Sequence, residues 1–271
     1  MKAAAPIAAL PMYDFPDIAK ANDEFWAAMA GRLRAAGVEA PAHLTRGGDI
    51  EAQWRNPDLL FGQTCGYPYV KGLRDDVVLI ATPEYACPGC EGPDHRSFIV
   101  SRSRDLRRDL AAFRGAVAAI NSPLSNTGMN LFRAAIAPVA GDAAFFASVI
   151  VTGSHHASLE AIAAGKADLA AIDCVSFELI ARAKPDLAAR VAIVAKSQLS
   201  PGLPFIASAR LPASTIAAVR AALFAALSDP GLAGARAALG LEGACVLTRA
   251  DYERVIDIER EAEAAGYARL A

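Results

Sequence analysis

The sequence lacks a basic surplus, a long apolar run and the common catalytic signatures. Its 27 Lys and Arg residues stand against 29 Asp and Glu residues, whereas a general nucleic-acid binder normally carries excess positive charge. No run approaches the ~18–20 apolar residues that cross a membrane. The motifs G-x-S-x-G, H-E-x-x-H and G-x-G-x-x-G are missing. We therefore expect no nucleic-acid partner, no membrane span and no catalytic residue.

Cysteine is sparse, and the 5 present are an odd number, which argues against a complete disulfide framework. Cys87 and Cys90 have C-x-x-C spacing, but the Pro and Gly between them and the Glu91-Gly92-Pro93 that follows are typical of a loop. A redox motif of this spacing normally opens a helix after a strand, and a zinc site would need a second pair at ligand spacing. We predict no metal and no cofactor.

Apolar residues are abundant and make up 54% of the 271 residues, which is ample for a core. Short β-branched or apolar runs alternate with segments of helical periodicity, a pattern that predicts an α/β fold with helices covering mixed sheets. The predicted strands are Ile7–Leu10, His43–Thr45, Leu59–Gly62, Val77–Thr82, Phe98–Ser101, Val117–Ile120, Phe145–Val151, Leu169–Ile172, Val191–Ala195 and Phe205–Ala207. The predicted helices are Asp17–Ala36, Asp49–Trp54, Asp105–Phe113, Thr127–Ile136, His156–Ala164, Phe177–Ala183, Pro212–Leu227, Leu232–Leu239 and Arg249–Ala265.

Two extended segments, Ser101–Arg104 and Ser197–Pro204, are candidates for crossings between domains. Two crossings make the first domain discontinuous, because the chain leaves it and later returns. We therefore predict lobe I over residues 1–102 and 204–271, and lobe II over residues 103–203.

Small polar residues follow several predicted strands, where α/β sheets bind their ligands. A helix that begins near Thr127 presents backbone N–H groups at Thr127, Gly128 and Met129 together with the positive end of its dipole. Ser125, Asn126 and Thr127 add side-chain donors, and Gly128 permits close approach of a ligand. This pattern fits either an oxyanion site or an ordinary N-cap, and both interpretations remain open.

Two further positions carry similar alternatives. His155 and His156 precede a helix, where one of them is either a donor to an anion or a surface residue beside a cap. Asp173, at the end of an apolar strand, either accepts from an ammonium or hydroxyl group or caps the next helix.

Several motifs, in this order along residues 7 to about 210, resemble the phosphate/phosphite/phosphonate substrate-binding proteins of ABC importers. Each motif alone is weak, but the combination is fairly specific. The motifs are Gln63-Thr64-Cys65-Gly66-Tyr67-Pro68, Ala86-Cys87-Pro88-Gly89-Cys90-Glu91-Gly92, Arg96-Ser97-Phe98-Ile99-Val100, Asn121-Ser122-Pro123-Leu124-Ser125-Asn126-Thr127-Gly128, Gly153-Ser154-His155 and Ala164-Gly165-Lys166-Ala167-Asp168-Leu169-Ala170-Ala171-Ile172-Asp173.

The resemblance implies a two-lobed type II periplasmic-binding-protein fold that closes around a small oxyanion in an interlobe cleft. It implies that Ser125, Asn126 and Thr127 cradle the anion with help from His155, and that Asp173 contacts the far end of the ligand. It also implies that Gln63 and Thr64 contribute from the opposite lobe, that Tyr13 and Tyr67 wall the cleft, and that Cys65 and Cys90 form a disulfide.

The family further implies a monomer with an ABC permease as its partner, in the periplasm if a signal segment was removed or lies upstream and otherwise in the cytoplasm. Two other functions stay open because fold does not fix function. One is an enzyme that uses His155, His156, Asp173 or Cys65 on the same fold, and the other is a sensor domain for a small organic ligand.

Overall fold

The computed structural model describes residues 5–141 and 144–271. Residues 1–4, predicted for lobe I, and residues 142–143, predicted for lobe II, lie outside the described residues. The chain divides into two compact units. Unit 1 holds the residues up to Ala86 together with Gly202–Asp251, and unit 2 holds Cys87–Pro201 and Tyr252–Ala271.

Strands and helices alternate along the chain, as the periodicity predicts. The strands are β1 Ile7–Ala9, β2 Leu59–Gln63, β3 Val77–Tyr85, β4 Asp94–His95, β5 Ser97–Arg102, β6 Val117–Ile120, β7 Ser148–Val151, β8 Leu169–Asp173, β9 Val191–Lys196, β10 Ser200–Pro201, β11 Phe205–Ser208 and β12 Leu241–Cys245. The α-helices are α1 Ala19–Ala35, α2 Ile50–Trp54, α3 Gly66–Pro68, α4 Leu131–Ala140, α5 His155–Ala164, α6 Cys174–Ala183, α7 Pro185–Ala188, α8 Ala213–Leu227, α9 Ala233–Leu239 and α10 Glu253–Ala264. Short 3-10 helices cover Pro11–Tyr13, Leu110–Phe113 and Pro230–Leu232, and π-helical turns cover Tyr69–Leu73 and Asn126–Asn130.

Unit 1 is built on a five-stranded mixed sheet of order β1-β2-β11-β3-β12. β1 and β2 are parallel, and β11 and β12 run antiparallel to their neighbours. The apolar face of α1 packs in the core of this unit, with Phe25, Met29 and Leu33 at most 1% exposed. The ring of Trp26 stacks on Phe61 of β2 with a centroid distance of 6.0 Å.

Unit 2 has its own five-stranded sheet, of order β7-β6-β8-β5-β9. β6 is parallel to both β7 and β8, whereas β5 is antiparallel to β8 and β9. Since β6, β7 and β8 run in the same direction, their carboxyl ends meet at one edge of the sheet. That edge positions the candidate site.

The unit boundaries differ from the predicted domain boundaries at two places. β5 belongs to unit 2 because it pairs with β8 and β9 over its whole length, so the first crossing follows Ala86 rather than residue 102. The C-terminal segment also belongs to unit 2, where Ala262 and Tyr267 join the core around Phe132 and Ile136.

Several secondary-structure predictions differ from the structure. His43–Thr45 forms no strand. Only Leu110–Phe113 of the predicted helix Asp105–Phe113 is helical, since the Asp105 carboxylate accepts from the backbone and guanidinium of Arg107 in a turn. The strand β12 was missed because its Leu-Glu-Gly-Ala-Cys sequence lacks β-branched residues.

Within residues 5–141 and 144–271, no single helix has the length and apolar composition needed to cross a membrane. The bent pair Ala213–Leu227 and Pro230–Leu239, which meet at 71°, passes that test only when both are counted together.

Candidate functional site

The carboxyl ends of the three parallel strands carry most of the residues that the sequence singles out. β6 leads to the turn before the π-helical segment Asn126–Asn130 and α4, β7 leads to the first residue of α5, and β8 ends in the residue that precedes α6. This edge of the unit 2 sheet brings together Ser125, Asn126, Thr127, Gly128, His155 and Asp173.

Ser125 caps the helix that begins after β6. Its Oγ accepts a hydrogen bond from the Gly128 N–H at 2.9 Å, and its carbonyl accepts from the Met129 N–H at 3.3 Å. Of the three backbone N–H groups that we expected to be available to a ligand, those of Gly128 and Met129 are therefore used inside the turn. The interpretation of Ser125 as an N-cap is confirmed. The hydroxyl still carries one proton to donate, and its oxygen lies 3.4 Å from Thr127 Oγ1.

Gly128 is crowded by side chains rather than open. A Cβ at this position would lie 1.8 Å from Asn121 Oδ1 and 3.2 Å from His155 Cε1. The absent side chain is what lets the turn after β6 and the start of α5 approach each other.

His155 is half-buried against this turn, with its Nε2 3.0 Å from Thr127 Oγ1. Burial lowers the pKa of His155 to about 4, and the nearby charge of Asp173 opposes this shift only in part. The ring is therefore neutral at pH 7. The adjacent His156 points elsewhere, with Nε2 3.9 Å from Glu160 Oε1 one helical turn along α5, which fits the surface alternative.

Asp173 is held by two partners within unit 2. Its Oδ1 accepts from the Ser176 N–H at 2.8 Å and so caps α6, and its Oδ2 lies 3.0 Å from His95 Nδ1. Burial opposes charge on both side chains, but their mutual attraction outweighs it, so the pKa of His95 is raised and that of Asp173 is lowered. The structure thus confirms the N-cap interpretation, while the predicted contact of Asp173 with a ligand remains a prediction.

The sequence analysis missed His95. It lies just before β5, and the antiparallel register that pairs Ser97 with Asp173 brings it alongside the end of β8. Only this long-range pairing relates the two residues, since no local motif links them.

The side chain of Asn126 forms hydrogen bonds within unit 2, and its role in an anion cradle stays a prediction. Its Nδ2 donates to Ser200 Oγ at 2.8 Å, and its Oδ1 accepts from Asn130 Nδ2 at 3.0 Å. Asn130 also donates to the carbonyl of Val255 and accepts from Arg133. The network fixes the helix start relative to α10.

The remaining predicted ligand residues, Tyr13, Gln63, Thr64 and Tyr67, belong to unit 1. The rings of Tyr13 and Tyr85 meet edge to face at 5.4 Å, and Gln63 Nε2 donates to Tyr85 OH at 3.2 Å. Thr64 is buried and its N–H donates to the Pro204 carbonyl, and the Tyr67 ring lies 5.5 Å from Lys71 Nζ. Tyr85, at the end of β3, was missed by the sequence analysis.

A small cavity of about 20 Å³ in unit 1 opens beside three of these polar side chains. Tyr13, Gln63 and Tyr85 line it together with apolar residues such as Phe25 and Phe205. Its volume suits a single water molecule, so this cavity alone holds no phosphonate-sized ligand.

The predicted disulfide between Cys65 and Cys90 is not formed. Cys65 belongs to unit 1, whereas Cys90 belongs to unit 2 and has Cys174 Sγ 3.6 Å from its own Sγ. In the described part of the chain, no three His, Cys, Asp or Glu side chains are grouped to hold a metal ion.

Two of three comparisons with known proteins find matches. The family model described as ABC transporter, phosphonate, periplasmic substrate-binding protein matches residues 7–252. A binding-protein component of an ABC phosphonate transporter from Pseudomonas aeruginosa superposes with a TM-score of 0.76 at 15% identity, over 97% of this chain and 88% of that one. No curated protein matches significantly.

Two other solved structures share the fold. The Prochlorococcus marinus protein PhnD1, in complex with methylphosphonate, has a TM-score of 0.75 at 12% identity over 96% of this chain and 98% of that one. A Xanthomonas citri protein bound to chloride ion gives 0.74 at 14% identity over 96% and 98% of the two chains. On the evidence of the family model, the chain belongs to the periplasmic substrate-binding proteins of ABC phosphonate transporters.

Proposed function

We propose that this chain captures a small oxyanion of the phosphonate or phosphate class and delivers it to an ABC permease. The observation that carries the proposal is the convergence of the Ser125 and Thr127 hydroxyls and the His155 ring at the start of the helix that follows β6. A helix start attracts anions through its dipole, and the two hydroxyls add donors where the Gly128 and Met129 N–H groups are used inside the turn.

The donors at this helix start are neutral groups. Hydroxyls and backbone N–H groups bind an oxyanion through hydrogen bonds, and the helix dipole adds about 0.3–1 kcal/mol. The Asp173 carboxylate already has His95 beside it, so its negative charge is largely balanced before an anion arrives. We propose that Tyr13, Gln63, Thr64 and Tyr67 also contribute to ligand binding, as the resemblance implies.

The proposal is for a binding protein without turnover, acting as a monomer in the periplasm. Two of the groups that an enzyme on this fold would use are unsuited to proton transfer at neutral pH. His155 is a weak base because burial lowers its pKa to about 4, and the Asp173 carboxylate is occupied by the Ser176 N–H and His95.

The test is titration calorimetry of the purified chain with methylphosphonate, phosphite, phosphate and sulfate. We expect one phosphorus oxyanion to bind, and Ser125→Ala or Thr127→Val to weaken binding by ~1–3 kcal/mol, or about 5–150-fold, because each leaves an anion oxygen unpaired. The control is Ser214→Ala, an exposed serine on α8 of unit 1, which should bind like the wild type. Equal binding by all three variants would place the ligand elsewhere.

A further inference from the structure

Two cysteines that are distant in sequence meet in unit 2. Cys90 Sγ and Cys174 Sγ are 3.6 Å apart and share a thiol hydrogen bond. Cys174 is the first residue of α6, and its N–H donates to the Arg96 carbonyl at 3.1 Å. The backbone of the Cys87–Cys90 turn also packs closely here, since a Cβ on Gly89 would lie 3.0 Å from Cys174 Cβ.

We propose that Cys90 and Cys174 are an oxidation site that forms an intramolecular disulfide when the chain meets a disulfide oxidant. A disulfide bond is about 2.05 Å long, so the two sulfur atoms, 3.6 Å apart, need to approach by roughly 1.5 Å for the bond to form. Disulfides form and persist in oxidising compartments such as the bacterial periplasm.

The two thiols have different surroundings, and these set the order of the reaction. Cys90 is half-buried and reachable from solvent, whereas Cys174 is fully buried. The hydrogen bond with Cys90, together with burial, raises the pKa of the Cys174 thiol. Burial also raises the pKa of the neighbouring Cys87 to about 12. Because the thiolate is the nucleophile, Cys90 reacts first.

The exchange proceeds in two balanced steps. The Cys90 thiolate attacks one sulfur of an oxidant RS–SR, which forms a Cys90–SR mixed disulfide and releases RS⁻. Cys174 then loses its proton to RS⁻ and attacks Cys90 Sγ, and the second RS⁻ leaves and takes up the proton that Cys90 gave to water. The two cysteines lose two electrons and two protons, and the oxidant is reduced to two RSH.

The cross-link has a defined place in the fold. It joins the turn before β4 to the first residue of α6, directly beside the buried contact of His95 with Asp173. A disulfide that closes a long chain segment restricts the unfolded state. We therefore expect the oxidised chain to unfold at a higher temperature than the reduced chain.

The experiment compares the full chain after incubation with oxidised glutathione and after incubation with dithiothreitol. Under denaturing conditions, the thiol count should fall from 5 to three in the oxidised sample. A non-reducing tryptic map should join the peptide Asp75–Arg96 to the peptide Ala167–Arg182. The cross-link and the rise in Tm should persist in Cys87→Ser and vanish in Cys90→Ser and Cys174→Ser.

Variants that lack one cysteine of the pair test the order of the two steps. In Cys174→Ser, the Cys90 mixed disulfide with glutathione should accumulate, whereas Cys90→Ser should leave Cys174 unmodified in the folded chain. Five thiols that persist after oxidation would overturn the proposal. A cross-link within the Asp75–Arg96 peptide, or one that is retained in Cys90→Ser, would also overturn it.

Discussion

At the scale of single residues, the edge of the unit 2 sheet holds the buried side chains of His95 and Asp173 and the half-buried side chain of His155, in different charge states. The pKa of His95 is raised and that of Asp173 lowered, so this pair is charged near neutrality, whereas His155 is neutral. The charges of His95 and Asp173 cancel. Under the proposed function, Thr127 and His155 therefore offer an arriving anion dipoles and hydrogen bonds rather than a net charge.

The neutral state of His155 makes the fold sensitive to acid. Its pKa is about 4 in the folded chain and about 6.5 in an unfolded one. Between these values the unfolded state takes up a proton that the folded state does not, so stability is lost as the pH falls from 6.5 towards 4. The full loss is about 3 kcal/mol, from 1.36 kcal/mol per pKa unit.

This prediction is checked by urea unfolding of wild type, His155→Asn and His156→Asn at pH 7 and pH 4.5. Wild type and His156→Asn should lose more unfolding free energy on acidification than His155→Asn does, by ~2–3 kcal/mol. Equal losses in all three proteins would mean that His155 titrates normally.

A second prediction at this scale concerns Gly128. Gly128→Ala places a methyl group against Asn121 Oδ1 and His155 Cε1, and we expect a loss of stability of ~1–3 kcal/mol, as for other overpacked sites, together with weaker anion binding. The matched control is Gly31→Ala in α1, where the added Cβ meets no atom within 4 Å. That variant should gain ~0.5–1 kcal/mol, since alanine favours the helix. Thermal unfolding and calorimetry measure both effects.

At the scale of elements, the start of α6 depends on one carboxylate with two functions. Asp173 caps the helix and also holds the buried His95. Asp173→Asn keeps a good N-cap residue but removes the negative charge. We expect a loss of about 3 kcal/mol, because a buried charge without its partner is costly, whereas Asp49→Asn at the exposed N-cap of α2 should cost under ~0.5 kcal/mol.

Chemical denaturation of both variants checks this expectation, and a double-variant cycle with His95→Asn isolates the pair. The double variant should be less destabilised than the sum of the two single variants. Strict additivity would show that His95 and Asp173 do not stabilise each other.

Some strands can be predicted from the sequence, and others cannot. Val117–Ile120 was predicted with its correct bounds because its apolar residues lie between a glycine turn and a polar loop. The edge strand β12 and the two-residue strands β4 and β10 were missed, since their residues have weak β-propensity and only pairing makes them strands. β5 was predicted as a strand but was assigned to the wrong domain, because its pairing partners β8 and β9 lie far along the chain.

At the scale of the whole molecule, the family and the α/β architecture followed from ordered motifs and alternating periodicity. The family model confirms the family, and the two mixed sheets with their helices confirm the architecture. Within the candidate site, the grouping of Ser125, Thr127 and His155 follows from strand ends that meet at one sheet edge. Two features of the site could not be predicted from the sequence: the hydrogen bond of the Asn126 side chain and the partner of Asp173. Both depend on residues far along the chain, Ser200 and His95.

The most direct test of the account is a crystal structure of this chain with methylphosphonate, collected beside a matched ligand-free crystal. We expect the phosphonate oxygens to lie within hydrogen-bond distance of Ser125 Oγ and Thr127 Oγ1, with His155 beside them. A phosphonate bound elsewhere on the chain, with the helix start after β6 unchanged, would contradict it.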